Sequence, residues 1–231
     1  MDNRFERTAL LFGENAVDKL SHKKIAVFGV GGVGGYVCEA LVRSGVGSFD
    51  LFDNDKVCFS NLNRQIIALE STVGMYKTEA MKNRMLDINP NVNVNCHNVF
   101  YLPENADEFD LSEYDYVIDA IDTVSAKIEL AKRCDKSGIN IISAMGAGNK
   151  LNPCSFVVTD IYKTSVCPLA RVMRRELKKA DVKALKVVYS QEEAIKPKVS
   201  ENTEQGKKLV GSCSFVPSVC GLIIASEVIK I

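Results

Sequence analysis

Residues Lys24-Ile25-Ala26-Val27-Phe28-Gly29-Val30-Gly31-Gly32-Val33-Gly34 constrain this chain more than any other stretch. A short apolar run passes straight into G-x-G-x-x-G, and residues 34–44 that follow have helical period. Glycines at those positions let the backbone turn tightly and approach a phosphate. The start of the following helix presents N–H groups and the positive end of its dipole. Asp53 closes the next apolar run, where a carboxylate can accept hydrogen bonds from ribose hydroxyls. Strand, glycine turn, helix and acidic strand end together predict a nucleotide site, with Gly29, Gly31, Gly32, Gly34 and Asp53 as its first residues. At this point NAD and ATP are equally open.

The rest of the chain supports an α/β fold around that unit. Strand-like runs at 25–30, 48–53, 92–98, 114–121 and 140–144 alternate with helix-period segments at 34–44, 77–88 and 125–137. This rhythm predicts a Rossmann-like, mainly parallel sheet with helices on both faces and right-handed crossovers. Residues 1–150 read as the nucleotide-binding core. Residues 151–231 read as an extended C-terminal portion facing substrate and a second subunit, within one adenylation domain of 1–231. There, strands are predicted at 155–160 and 185–190, a helix at 168–180 and an exposed polar loop at 196–208. A final helix from 217 onward is expected to turn Val219, Leu222, Ile223, Ser226 and Ile229 inward. The chain stops inside that helix, so a short C-terminal piece is expected beyond Ile231.

With 231 residues, 46% of them hydrophobic, the chain can bury a substantial core. Its formal net charge of zero supplies no global field for a polyanion, so nucleic acid would have to meet a local basic patch. The eight cysteines (38, 58, 96, 134, 154, 167, 213 and 220) include no C-x-x-C pair. They read as reduced thiols, not as disulfides or a zinc site. No apolar signal core follows Met1, and no run reaches the roughly 20 apolar residues of a membrane span. A cytoplasmic protein with no membrane attachment is expected.

The residues after Asp53 separate the two nucleotides. Asp53-Asn54-Asp55-Lys56-Val57-Cys58-Phe59-Ser60-Asn61-Leu62-Asn63-Arg64-Gln65 adds an Asn/Arg cluster that a dinucleotide oxidoreductase does not need. Attack at the α-phosphorus of a nucleoside triphosphate expels pyrophosphate. That leaving charge calls for a fixed guanidinium and an ammonium, and Arg64 and Lys77 suit the task.

Asp53-x-Asp55, then Ser60-Asn61-Leu62-Asn63-Arg64-Gln65, then Val73-Gly74-Met75-Tyr76-Lys77, resembles the adenylation core of the ubiquitin-activating-enzyme-like superfamily. That superfamily includes the activators of the molybdopterin and thiamine sulfur carriers. Asp119-Ala120-Ile121-Asp122 resembles its strand end carrying a magnesium-binding aspartate, and Arg4-Phe5-Glu6-Arg7 its N-terminal segment that reaches a partner subunit. The resemblance implies ATP and Mg²⁺ as cofactors. Gly31 would lie against the phosphates, Asp53 on the ribose, and Asn61, Arg64 and Lys77 on the phosphates, with Asp55 and Ser60 alongside. Asp122 would bind the metal, and Arg7 would complete a neighbouring subunit's site in a homodimer. Taken alone, Asp122 reads more often as an N-cap for the helix that follows, and the family pattern is what raises it.

The last third narrows the resemblance. Residues 163–177, 186–190 and 211–217 are similar to the subfamily of tRNA threonylcarbamoyladenosine dehydratases, in which an aspartate is usual where Cys167 stands. The two zinc-binding C-x-x-C pairs common in sulfur-carrier activators are missing. In residues 168–180, Leu169, Val172, Met173 and Leu177 make an apolar stripe. Arg171, Arg174, Arg175 and Lys178 lie largely on the other faces, which composition alone reads as solvated. In a tRNA enzyme they become a phosphate-contacting ridge. The resemblance implies adenylation of a threonyl carboxylate by ATP, then ring closure by the carbamoyl group with loss of AMP, so no cysteine nucleophile is needed. Two readings compete. One is a sulfur-carrier activator with sulfur-transfer protein partners; the other is a non-catalytic or NAD-binding module, which leaves Asn61, Arg64, Lys77 and Asp122 unexplained.

Overall fold

The computed structural model describes residues 3–198 and 210–230. Two helices, α1 (Glu6–Phe12) and α2 (Glu14–Ser21), precede the first strand. Periodicity missed both. Helix α1 buries no residue and carries Leu10, Leu11 and Phe12 in one contiguous block, while α2 buries only Val17 and Leu20.

The expected alternation follows, each element within a few residues of its predicted bounds. In order these are β1 (Lys24–Phe28), α3 (Gly34–Arg43), β2 (Ser48–Phe52), α4 (Lys77–Ile88), β3 (Asn93–His97), β4 (Tyr116–Asp119), α5 (Val124–Ser137) and β5 (Ile141–Ala144). Then come β6 (Phe156–Asp160), α6 (Pro168–Lys179), β7 (Lys186–Ser190) and α7 (Phe215–Ile229). The seven strands form one sheet in the order β3-β2-β1-β4-β5-β7-β6. All pairings are parallel except that of β6 with β7.

Alternating side chains send each strand's apolar residues to both faces. Ile25, Val27, Leu51 and Ile118 join α3, α4 and α7 in one core, whereas Ala26, Phe28 and Val117 pack with α5 on the other side. Farther along, Val187 and Tyr189 pack against α6 there. Both faces are therefore covered, as predicted. Residues beyond 150 add β6 and β7 to the same sheet, and α7 returns to pack against α3.

The chosen face of the final helix is a correction. Val216, Cys220, Ile224, Ala225 and Val228 point inward, while Leu222 and Ser226 are exposed and Val219, Ile223 and Ile229 half-buried. A helix that is apolar on every side gives periodicity nothing to choose between. Residues 199–208 of the expected loop lie outside the described residues, and 196–198 are exposed. Among the described residues no helix is long and apolar enough to cross a membrane. All eight cysteines are free thiols.

Candidate functional site: a cavity at the carboxyl ends of the strands

Chain direction across the sheet reverses between β1 and β4, and a cleft opens there at the carboxyl ends of the strands. It holds a cavity of about 560 Å³. Gly29, Gly31 and Gly32 from the β1–α3 turn line it, with Asp53 and Asp55 after β2, Arg64, Lys77 at the start of α4, and Asp122 after β4.

The glycines in this turn answer to different neighbours. At Gly29, φ is +89° and a Cβ would stand 2.6 Å from the Ala120 carbonyl oxygen, so two adjacent turns touch through a missing side chain. A Cβ on Gly34 would meet the Gly29 carbonyl oxygen at 1.8 Å, which explains Gly34 by helix packing; it is not part of the cavity wall. Gly31 differs: a Cβ there would meet nothing closer than 3.8 Å. The fold itself makes no demand for glycine at 31, whereas a phosphate resting on the backbone would. The amides of Gly31, Gly32 and Val33 have no acceptor among the described residues, as an anion cradle requires.

Asp53 anchors the polar wall. One of its oxygens accepts the Val30 N–H at 2.7 Å and the other the Asp55 N–H at 2.9 Å. Burial pushes its carboxyl up, against the pull of the Lys77 ammonium and these two N–H groups. The Lys77 ammonium is itself buried, 2.6 Å from Asp55 Oδ2 and 4.0 Å from Asp53 Oδ1. Arg64 donates to the Ser60 carbonyl (2.7 Å) and Asn63 Oδ1 (2.8 Å), which holds the guanidinium against its own loop.

Two predicted contacts lie outside the cavity lining. Asn61 is buried, its Oδ1 accepts the Cys58 N–H at 3.2 Å, and its carbonyl receives the Arg64 and Gln65 amides. Ser60 lies beside Cys58 (Oγ to Sγ 3.1 Å). Both shape the loop carrying Arg64. Asp122 is exposed, and no hydrogen bond or ion pair engages its carboxylate among the described residues. Helix α5 takes Thr123 as its N-cap, so the capping role open to Asp122 is not used.

Apolar side chains complete the lining. Phe52, Val99, Tyr101 and Ile121 contribute to it, and Phe52 stacks on Phe28 (4.2 Å between centroids) and on His97 (4.3 Å). Flat apolar groups and charged groups in one cavity match a base and a polyphosphate. Sequence reasoning missed these residues, because they come from the end of β2 and from the segments after β3 and β4. It also missed the loop Met145-Gly146-Ala147-Gly148, although a run of small residues directly after a strand was a usable signal.

Arg7 is exposed on α1, away from this chain's own cavity: Phe5 beside it sits near Gly45, ahead of β2, and Arg4 donates to Asn89 after α4 (3.2 Å). On α6, Arg171, Arg175 and Lys178 are exposed. Arg174 is half-buried and donates to the Thr164 carbonyl (2.9 Å) and hydroxyl. Leu169, near the start of this helix, lines the cavity, so the basic face begins at its rim. Cys167 is buried as the N-cap of α6, its Sγ accepting the Ala170 N–H at 3.5 Å.

Residues 5–231 match the ThiF family. The tRNA threonylcarbamoyladenosine dehydratase of Bacillus subtilis is 42% identical over 239 residues, covering 99% of this chain and 94% of that protein. The enzyme of that name from Escherichia coli is 36% identical over 248 residues, covering 98% and 92%. A crystal structure of the E. coli tRNA N6-threonylcarbamoyladenosine dehydratase in complex with ATP superposes with a TM-score of 0.90, covering 99% of this chain and 93% of that one at 36% identity.

Proposed function

The chain belongs to the ThiF family, and on that footing we propose that it is an enzyme dehydrating threonylcarbamoyladenosine in tRNA at the expense of ATP. The observation that carries this reading is the one cavity that gathers Gly31, Asp53, Arg64, Lys77 and Asp122 together with apolar side chains such as Phe52 and Ile121. Relatives matched along nearly their whole length bear that activity in their name, and one has been solved with ATP.

The chemistry proceeds in two displacements. A threonyl carboxylate oxygen attacks the α-phosphorus, and the bond to the bridging oxygen breaks to release pyrophosphate. A nitrogen or oxygen of the carbamoyl group then attacks the activated carbonyl carbon and expels AMP, closing a five-membered ring. The balance is one water lost from the nucleoside and ATP converted to AMP and pyrophosphate. Arg64 and Lys77 neutralise the leaving charge, and the amides of the glycine turn hold the remaining phosphates. The second step is intramolecular and gains from proximity alone.

Mg²⁺ fits this site. Asp122 presents one unengaged carboxylate at the cavity, and no group of three or more ligating side chains stands ready among the described residues. A lone carboxylate suits a cation that takes its other ligands from phosphate oxygens and water. Bound there, the ion would screen phosphate charge beside Asp122.

The tRNA partner is assigned to the rim and to the basic face of α6, where Arg171, Arg175 and Lys178 recur at helical spacing. A homodimer accounts for the exposed Leu10, Leu11 and Phe12 of α1 and for Phe215 and Leu222 on the outer face of α7. In it, Arg7 is offered to a partner's site. A cytoplasmic location follows from a tRNA substrate.

Exchange of labelled pyrophosphate into ATP tests the reading, run separately with threonylcarbamoyladenosine-bearing tRNA and with a sulfur-carrier protein. Exchange with the tRNA is expected; exchange with the carrier alone would move the protein to the activators with sulfur-transfer partners. Arg64→Ala should abolish exchange without changing the melting temperature, because its partners are surface atoms of its own loop. Retained exchange would remove Arg64 from the chemistry.

A further inference from the structure

Lys127 is wholly buried on α5 beneath the turn that carries Asp122. Its ammonium lies 2.9 Å from Asp119 Oδ1 and donates to the Ile121 carbonyl at 3.2 Å. Asp119, also wholly buried, ends β4; its other oxygen accepts the Ser143 hydroxyl of β5. The Ile121 N–H turns back to Asp119 Oδ1 at 3.3 Å. One ammonium thus ties together the end of a strand, the turn after it and, through Asp119, the neighbouring strand.

Stability is a poor reason for such a pair. Taking both charges out of water costs about as much as their attraction returns, and well-packed apolar side chains of similar volume do as well or better. What an apolar pair cannot do is hold the Ile121 carbonyl. That carbonyl belongs to the four-residue turn whose Ala120 carbonyl oxygen presses on Gly29 and whose Ile121 and Asp122 line the cavity. Both halves of the nucleotide cradle meet in this turn.

We infer that Lys127 is a positioning residue for the nucleotide site: through Asp119 and the Ile121 carbonyl it sets the 119–122 turn, and so the place of Asp122 beside the phosphates. The inference rests on the ATP reading given above. It differs from a packing role in what it predicts once the charges are removed together.

The test is calorimetric binding of ATP, in Mg²⁺ and in EDTA, to the full chain carrying Lys127→Met with Asp119→Asn. This pair leaves no unpaired buried charge and keeps an acceptor for Ser143. Its melting temperature should stay within a few degrees of the wild type, while affinity for ATP in Mg²⁺ falls about 10-fold and affinity in EDTA changes much less. Lys127→Gln with Asp119→Asn, which restores a donor toward Ile121, should recover most of the loss. A double variant that folds and binds ATP in Mg²⁺ like the wild type overturns the inference. Should that variant fail to fold, Ser143→Ala decides: it removes one hydrogen bond from Asp119 and should weaken binding about 3-fold, and unchanged binding overturns the inference. Wild-type protein that binds no ATP would instead sink the reading of the site itself.

Discussion

Adding one methyl group at Gly29 and, separately, at Gly31 should break different properties of the same turn. At Gly29 a Cβ would stand 2.6 Å from the Ala120 carbonyl oxygen and 2.8 Å from its carbon, at φ +89°. The backbone conformation alone costs an alanine about 1–3 kcal/mol, and the neighbour in the way is main chain that cannot swing aside. A total of at least ~3 kcal/mol, at roughly 2–4 °C per kcal/mol for a chain of this size, lowers the melting temperature by at least about 6–12 °C. At Gly31 the nearest atom to a Cβ is a side-chain nitrogen at 3.8 Å, so the fold has room. Gly31→Ala should melt within about 2 °C of the wild type. Its cost appears with ligand. ATP at about 100 times its dissociation constant contributes ~2.7 kcal/mol to the wild type, an upshift of roughly 5–10 °C. A methyl group where the phosphates rest should weaken binding about 10-fold and remove about 1.4 kcal/mol of that gain. The assay is thermal melting of the three proteins with and without ATP and Mg²⁺. A Gly31→Ala protein that melts far below the wild type yet keeps the full ATP shift would refute the reasoning, because Gly31 would then serve the fold alone.

Two further outcomes follow, one from a buried carboxylate and one from surface cations. Burial works against ionising Glu39, but the Arg84 and Arg43 guanidiniums, at 2.7 Å and 2.8 Å, hold its carboxyl below the usual range. A depressed carboxyl contributes stability that is present above its unfolded pKa near 4.3 and lost as pH falls through the lower folded value. Glu39→Gln should therefore cost about 1.5–3 kcal/mol in denaturant melts at pH 7 and less as the pH is lowered below about 4; an equal cost throughout would show that shape, not charge, matters. On α6, reversing Arg171, Arg175 and Lys178 together should raise the tRNA KM and flatten its dependence on salt by about 0.7–0.9 in log–log slope per lost phosphate contact. An unchanged KM would return this face to solvent. Arg174 makes a poorer probe, since its bonds to Thr164 mean that reversal also loosens the start of α6.

Much of the protein is legible in its sequence. Local chemistry determined the strand, turn and helix at 24–43, because apolar run, glycine pattern and helical period agree over one short stretch. The βαβ rhythm determined a mainly parallel sheet covered on both faces, because parallel strands require crossovers. Arg64 and Lys77 can be named from the charge that a departing pyrophosphate needs neutralised, and Asp122 from the resemblance of residues 119–122 to the superfamily's strand end, although nothing local distinguishes each from a solvated charge. Other features depended on contacts that sequence order does not encode. Which face of α7 is buried was settled by α3 packing against it, since the helix is apolar all round. Asn61 lies outside the cavity lining and braces its loop through Cys58, Arg64 and Gln65, and Gly34 lets the start of α3 close on the Gly29 carbonyl. The apolar part of the cavity lining draws Phe52, Val99 and Ile121 from the ends of three strands, and Lys127 reaches Asp119 only when α5 lies across the sheet. Residue chemistry and local pattern single out the groups able to handle a phosphate; which of them share a cavity depends on the fold, because the carboxyl ends of strands distant in sequence come together only where the winding of the sheet changes direction.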